Sequence, residues 1–165
     1  MAEAVQRLLL EFPNISVTFA GEGPDEGFLH KTFHHCDQVK FIKYQSNESF
    51  DIHKDKDIAV IPTIGSEGTS LSLLEAMASR CAVICTNVGG MTNIVIDGYN
   101  GVIIGPTSDE LYYALKQMIL NPEQKSILAD KAYDSVANGF SLIKWKEKWN
   151  KIINNVVGSV EEKYE

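Results

Sequence analysis

The chain has 165 residues, enough for one domain with a sizeable core, and an apolar fraction of 44% argues against disorder. Its 22 acidic residues outnumber its 15 basic ones, giving a net charge of -7. This balance disfavours a nucleic-acid partner, because binding to a phosphate backbone depends on clustered Lys and Arg.

Segments with strand character alternate with helical segments along the chain. The strand segments are short and rich in β-branched residues, and those over 15–20, 57–62 and 101–104 end at Gly or Pro, whereas the helical segments have apolar residues three and four apart. This alternation predicts right-handed crossovers and an α/β fold, a Rossmann-like three-layer sandwich with a mostly parallel sheet. In chain order, the predicted elements are a helix over 2–12, a strand over 15–20, a helix over 25–35, a strand over 39–42, a polar loop with a helical turn over 46–56, a strand over 57–62, a helix within 66–78, a strand over 81–86, a short helix over 91–96, a strand over 101–104, and helices over 110–120, after Pro122 and over 142–157.

The three cysteines, Cys36, Cys81 and Cys85, form no Cys-x-x-Cys pair and are too few to stabilise a secreted fold. We expect them to be small buried apolar residues in a reducing compartment. His34 and His35 lie beside Cys36, but adjacent histidines point in different directions and no second ligand cluster is present. The prediction is therefore that this protein has no metal site.

The candidate binding site lies between the strand over 57–62 and the next helix. Glu67 and Glu75 stand eight positions apart, across a loop that becomes a helix. The first N–H groups of a helix have no partner within it, and the helix dipole adds about half a positive charge there, so an anion such as phosphate fits. Three small residues would let a ligand approach closely: Gly68, Thr69 and Ser70.

The same segment also allows a purely structural interpretation. Ser72-Leu-Leu-Glu75 fits a capping box, in which the glutamate closes a helix start, and Glu67 fits an ordinary solvated loop acid. Residue spacing leaves both interpretations open. In helical projection, the predicted apolar face consists of Leu71, Leu74, Met77 and Ala78, with Glu75 beside Ser72 and Ser79 on the polar edge.

Parallel sheets bind ligands at the carboxyl ends of their strands. Three features are predicted to meet there, namely residues 21–24, residues 43–44 and residues 66–70. They predict a mononucleotide-binding crevice. Gly21-Glu-Gly23 alone is weak evidence, since glycine at such a turn usually only relieves the backbone.

Residues 67–78, Glu-Gly-Thr-Ser-Leu-Ser-Leu-Leu-Glu-Ala-Met-Ala, resemble the signature of the retaining glycosyltransferases of the GT-B fold. Further segments match that family in the right order, at 17–24, 82–90, 97–101 and 140–145. The resemblance covers nearly the whole chain. It implies the C-terminal half of a GT-B fold, with 1–165 as a single nucleotide-sugar-binding domain.

The resemblance implies an enzyme that transfers a hexose, with retention, from a UDP- or GDP-sugar donor to a saccharide or lipid-linked acceptor. It implies no metal and no cofactor other than the donor. Glu67 would be the catalytic residue near the donor sugar, and Glu75 would accept hydrogen bonds from the ribose. Backbone N–H groups around Ser70 and Leu71 would hold the diphosphate, and the main chain near Lys43 would meet the base. The remaining donor-binding residues implied by the resemblance are Gly21, Glu22, Gly23, Gly68 and Thr69.

The chain also departs from the family. The family's domain opens with a strand and a loop that carry an arginine and a lysine for the diphosphate, whereas this chain begins in the following helix and lacks the acceptor domain. We therefore expect a fragment with little transferase activity alone. The missing strand would lie between those ending at Ala20 and Pro62, so the fragment would close up or borrow a strand in a dimer. Lys43 stands where the family usually has glycine.

Two other classes of function remain open. One is a non-catalytic module that binds a nucleotide or sugar phosphate, and the other is a different GT-B enzyme, such as a sugar-nucleotide epimerase or phosphorylase. Trp145 and Trp149 are predicted to anchor the last helix by packing rather than to bind sugar. The expected location is the cytoplasm, with a membrane-peripheral position open to the full-length protein.

Overall fold

The computed structural model describes residues 1–45 and 48–161. Strands and helices alternate as the sequence predicts, except that the short helix expected over 91–96 is a 3-10 turn at Gly89–Asn93. Of the polar loop predicted over 46–56, residues 46 and 47 lie outside the described part, and a short helix follows them. The elements are α1 (Ala2–Glu11), β1 (Val17–Ala20), α2 (Glu26–Phe33), β2 (Val39–Ile42), α3 (Ser49–His53), β3 (Ile58–Ile61), α4 (Leu71–Ala78), β4 (Ala82–Thr86), β5 (Val102–Ile104), α5 (Ser108–Leu120), α6 (Pro122–Gly139) and α7 (Leu142–Glu161).

The described strands form two parallel sheets. β1 pairs with β2, with Val17 opposite Val39, and β3, β4 and β5 pair in that order. The predicted α/β class with parallel pairing is confirmed. β1 and β3 do not pair with each other, so the expectation that the fragment closes the gap by bringing these two strands together is wrong.

Strand β4 divides the core into two halves. Because successive side chains of a strand point to opposite faces, Ala82 and Ile84 join one apolar cluster, whereas Val83 and Cys85 join the other. The first cluster includes residues of α1 and α5, and the second includes residues of α4 and α6. The three layers predicted from the sequence are therefore present around β4.

The buried face of α4 differs from the predicted one. Leu73, Ala76 and Met77 are fully buried, whereas Leu71 is 70% exposed. Of the four residues in the predicted apolar face, Met77 is the one that is buried completely. The projection failed because six of the eight residues of this helix are apolar, so the sequence did not show which side meets the sheet.

Helix α7 is exposed along its apolar side. Trp145 is 57% exposed and Trp149 is 47% exposed, and their rings lie 6.0 Å apart, in contact with each other. The prediction that these tryptophans anchor the helix by packing on this domain is wrong. Among the helices that the structure describes, none is long and apolar enough to cross a bilayer.

The cysteines are all free thiols. Cys81 and Cys85 are completely buried, as predicted, whereas Cys36 is only partly buried. The Cys81 thiol donates to the carbonyl oxygens of His53 and Lys56, at 3.4 and 3.3 Å. Burial raises the pKa of both Cys81 and Cys85 to about 11, so these thiols stay protonated at neutral pH.

Candidate functional site

The loop between β3 and α4 is held by contacts with the segment after β4. Thr86, nearly completely buried at the end of β4, donates its hydroxyl to the carbonyl oxygen of Thr63 at 2.5 Å. Further along, the N–H of Gly90 donates to the carbonyl oxygen of Glu67 at 3.0 Å. The backbone of Glu67 is therefore positioned by a neighbouring loop.

Gly89 and Gly90 allow this contact because they have no side chain. A Cβ on Gly89 would lie 2.0 Å from the carbonyl oxygen of Glu67, and one on Gly90 would lie 2.1 Å from that of Gly68. Gly89 also has a φ of +56°, which L residues with side chains rarely adopt. Two adjacent glycines after a buried strand are a sequence signal for such a close backbone approach.

Helix α4 begins with Ser70 as its N-cap. The N–H of Leu73 donates to the Ser70 hydroxyl at 3.3 Å, so one of the unpaired N–H groups of the first turn is satisfied. The capping-box interpretation of Ser72 and Glu75 is therefore wrong, because Ser72 is already inside the helix. By helix geometry, the N–H groups of Leu71 and Ser72 have no acceptor within α4.

A side-chain cap that involves a glutamate is present at the start of α5, where Thr107 is the N-cap. The N–H of Glu110 donates to the Thr107 hydroxyl at 3.2 Å, and the Glu110 carboxylate accepts from the N–H of Gly105 at 2.7 Å. A Cβ on Gly105 would lie 2.5 Å from this carboxylate. Glu110 thus has the structural role that the sequence also allowed for Glu75.

The Glu67 and Glu75 side chains are half-buried. Within residues 1–45 and 48–161, neither carboxylate forms a hydrogen bond or an ion pair with a side chain. The charge of Glu75 acts on His53, whose pKa is lowered by burial while Glu75 opposes that shift. Both acids therefore have carboxylate oxygens free to accept hydrogen bonds from a ligand.

A cavity of about 930 Å³ is bordered by described residues that follow the strands β1 and β2, among others. Four of the predicted donor-binding residues line it together, namely Gly21, Glu22, Gly23 and Lys43, and Ser72 of α4 also borders it. Residues 67–71 and Glu75 do not line this cavity. The structure thus brings together the turns after β1 and β2, as predicted, and leaves the segment 67–71 outside their cavity.

Lys43, which follows β2, forms ion pairs with two acids near the turn after β1. Its ammonium nitrogen lies 3.1 Å from Glu26 and 3.5 Å from Glu22. The hydrogen bond with Glu26 and the charge of Glu22 raise the pKa of Lys43. These contacts join the ends of β1 and β2, and the three side chains together carry one net negative charge.

The segment 97–101 has a structural role. Asn100, 1% exposed, donates its amide to the carbonyl oxygen of Ile94 and to the Ser135 hydroxyl, and its side-chain oxygen accepts from the N–H of Ile96. The Asp97 carboxylate accepts from the N–H of Ile103 at 2.8 Å. Together these bonds connect the region after the 3-10 turn with β5 and α6.

A family profile described as glycosyl transferases group 1 matches residues 1–135. An uncharacterized glycosyltransferase of Methanocaldococcus jannaschii is 35% identical to the chain over 129 residues, covering 75% of this chain and 34% of the relative. The chain spans about a third of the length of the curated relatives it matches.

Two solved structures have the same architecture. One is the C-terminal domain of a glycosyl transferase group 1 family protein from Francisella tularensis, with a TM-score of 0.75, 30% identity, and coverage of 86% of this chain and 77% of that one. The other is HepE from Anabaena in complex with UDP-glucose, with a TM-score of 0.81, 18% identity, and coverage of 93% of this chain and 44% of that one. The similarity to HepE concerns the fold.

Proposed function

Because the chain belongs to the glycosyl transferases group 1 family and has the fold of the C-terminal half of a GT-B enzyme, we propose that it binds the sugar donor of a retaining transferase. The donor is a hexose linked to UDP or GDP, and it needs no further cofactor. The acceptor is a saccharide or a lipid-linked saccharide. Residues 1–165 form a single donor-binding domain in this proposal.

The observation that carries the proposal is the environment of Glu75. This half-buried carboxylate lies beyond the capped first turn of α4 and forms no hydrogen bond with any described side chain. A half-buried acid that accepts no hydrogen bond from a described side chain leaves its carboxylate oxygens available to a ligand. Two vicinal hydroxyls of a ribose would supply the missing donors.

The diphosphate of the donor is assigned to the start of α4. The N–H groups of Leu71 and Ser72 are unpaired within the helix, and the dipole of the helix favours a negative charge at this end. Ser70 directs its hydroxyl to Leu73, which keeps the first turn ordered. Gly68 and Thr69 precede it, and a Cβ added to Gly68 would meet no atom within 4 Å. In this proposal, the start of the helix stabilises the negative charge of the diphosphate, as a metal ion does in other transferases.

Glu67 is assigned to the donor sugar. As the bond between sugar and diphosphate breaks, negative charge grows on the phosphate and positive charge grows on the sugar. Fixed N–H donors stabilise the phosphate, and the carboxylate of Glu67 stabilises or orients the sugar. Its backbone is fixed by Gly90, which supports a positioning precise enough for this role.

The turns after β1 and β2 are assigned to the nucleoside. Gly21 and Gly23 have open space around the position of a Cβ, and with Glu22 and Lys43 they border the same cavity. Main-chain groups near Lys43 would contact the base. HepE, which shares the fold, is described as a complex with UDP-glucose, and this supports a uridine donor as the first one to test.

The test is calorimetric titration of the protein with UDP-glucose and GDP-mannose, repeated with Glu75→Gln. Hydrogen bonds to a charged group contribute about 1.5–3 kcal/mol, so the variant is expected to bind about 10- to 100-fold more weakly. Glu123→Gln is the matched control, because it makes the same change at an exposed position on α6.

Two outcomes would contradict the proposal. One is wild-type affinity in Glu75→Gln, and the other is an equal loss of affinity in Glu123→Gln. Binding without transfer by a longer form of the protein, given an acceptor, would instead favour the non-catalytic module.

A further inference from the structure

Lys43 and Glu22 place a cation and an anion side by side at the wall of the cavity of about 930 Å³. The Lys43 ammonium nitrogen lies 3.5 Å from the Glu22 carboxylate, and the two side chains are 59% and 69% exposed. A Cβ added to Gly21 or to Gly23, the two neighbours of Glu22, would meet no atom within 4 Å. The edge of a flat ligand can therefore contact both charged groups at once.

Glu26 holds the other side of the Lys43 ammonium group. Its carboxylate lies 3.1 Å from the Lys43 nitrogen and 3.8 Å from His30 Nε2, and its side chain is 35% exposed. An ammonium group has three N–H donors, and a carboxylate has about four acceptor positions. The two glutamates take at most two of the three donors, so one donor of Lys43 remains for a ligand.

The Glu22 carboxylate has spare acceptor positions as well. In the part of the chain that the structure describes, Lys43 is the one group that it contacts through a hydrogen bond or an ion pair. The cavity wall therefore offers a free N–H donor next to two free carboxylate oxygens, in that order. A ligand that fits this order has one acceptor followed by two donors.

Guanine has this order of groups along one edge. Its carbonyl oxygen O6 is followed by the N–H at N1 and by the 2-amino group. Lysine commonly donates to O6 of guanine, and acids accept from the amino groups of bases. Uracil has a second carbonyl after its N–H, and adenine and cytosine have a bare ring nitrogen at the middle position. Each of these three bases would therefore place an acceptor against a carboxylate, and that acceptor would stay unpaired.

We propose that Lys43 and Glu22 select guanine, so that the sugar donor is linked to GDP. Lys43 donates to O6, and the Glu22 carboxylate accepts from N1 and from the 2-amino group. Glu26 keeps the ammonium group in place through its contact of 3.1 Å. This assignment rests on the proposed function, because it names the base of the proposed donor.

The uridine ligand of HepE does not decide the base for this chain. HepE is 18% identical to the chain, and the similarity concerns the fold. Lys43 also stands where the family usually has glycine, so a contact through its side chain is particular to this chain. In this proposal, the charged side chains select the base, and the shared fold positions it.

The test is calorimetric titration of the wild type and of Glu22→Gln with GDP, UDP and ADP. The wild type is expected to bind GDP about 10-fold more tightly than UDP or ADP. A glutamine has one oxygen and one amino group, so it pairs with one donor of guanine and opposes the other. Glu22→Gln should therefore bind GDP about 10- to 100-fold more weakly, whereas its affinity for UDP should stay the same or rise.

A second variant tests the contact with O6. Lys43→Met should reduce the preference for GDP over ADP about tenfold, because adenine has an amino group in place of O6. Lys40→Met is the matched control, since Lys40 is an exposed residue of β2. Glu123→Gln, exposed on α6, is the control for Glu22→Gln. Far-UV circular dichroism checks that each variant is folded.

Three outcomes would overturn the assignment of guanine. The first is equal affinity of the wild type for GDP and UDP, the second is a preference for UDP, and the third is a preference for GDP that persists in Glu22→Gln. If Glu75→Gln still weakens the binding of all nucleotides in these cases, the proposed function stands without the assignment. A wild-type protein that binds none of the three nucleotides would contradict both.

Discussion

Adding a methyl group at Gly90 tests whether the contact between the loops positions Glu67. The Cβ of Gly90→Ala would lie 2.1 Å from the carbonyl oxygen of Gly68, and contacts below 3.0 Å are essentially never seen. The Gly68 backbone would therefore have to retreat by about 1 Å, and displacements of about 1 Å cost catalytic sites on the order of 100-fold. Overpacking of this kind costs about 1–3 kcal/mol of stability.

Two other glycines separate the effect of the clash from that of backbone strain. Gly98 has a φ of +71° and open space around it, so Gly98→Ala introduces strain alone, about 1–2 kcal/mol. Gly89 combines a φ of +56° with a contact of 2.0 Å to Glu67, so Gly89→Ala should cost about 2–5 kcal/mol. The effect of alanine on the unfolded chain is common to all three variants and cancels in the comparison.

The assay is urea unfolding followed by far-UV circular dichroism, with donor affinity measured by calorimetry. Dichroism is preferable to fluorescence because Trp145 and Trp149 lie on the exposed helix α7. Gly89→Ala and Gly90→Ala should lose donor affinity, whereas Gly98→Ala should keep it. A Gly90→Ala variant with the urea midpoint and the donor affinity of the wild type would refute the reasoning.

Two further predictions concern stability and thiol chemistry. Thr107→Ala removes the acceptor for the N–H of Glu110, so it should lower the free energy of unfolding by about 1 kcal/mol in urea titrations. The control Ser108→Ala should change this free energy little, and equal losses in the two variants would contradict the capping role of Thr107. Cys81 and Cys85 should resist Ellman's reagent at pH 8 in the folded protein and react after unfolding, because burial raises their pKa to about 11. Rapid labelling of either thiol in the folded protein would contradict this prediction. Since the unfolded thiols ionise near 9.0 and the folded ones near 11, the folded state binds more protons between these values, and stability should fall as the pH rises from about 9 to 11.

The sequence allowed the elements of the fold to be predicted because their signals are local. The strand over 39–42 was predicted with the bounds that β2 has, and the helix after Pro122 begins at that proline. Alternation of strands and helices was enough to predict the parallel α/β class. The family resemblance then suggested donor-binding roles for Glu67 and Glu75, which spacing alone left undecided, and these roles stay predictions.

The tertiary structure decided what depends on contacts between distant segments. The two loops that meet at Glu67 and Gly90 are 23 positions apart, and no local pattern relates them. Similarly, Ser72 and Glu75 matched a capping box, yet the N-cap of α4 is Ser70, two residues earlier. The cap that involves a glutamate is at the start of α5, where the N–H of Glu110 donates to the Thr107 hydroxyl. More than one segment of the sequence fits a local capping pattern, and tertiary packing decides which of them forms the cap.

By itself, the sequence determined where the chain forms strands and helices and which family it belongs to, because propensity, turn residues and motif residues act over a few positions. Only the tertiary structure decided which face of α4 is buried, that Trp145 and Trp149 remain exposed, and that β1 and β3 border a cavity instead of pairing. These features depend on which surfaces find a partner, and burial of apolar area is a property of the assembled fold.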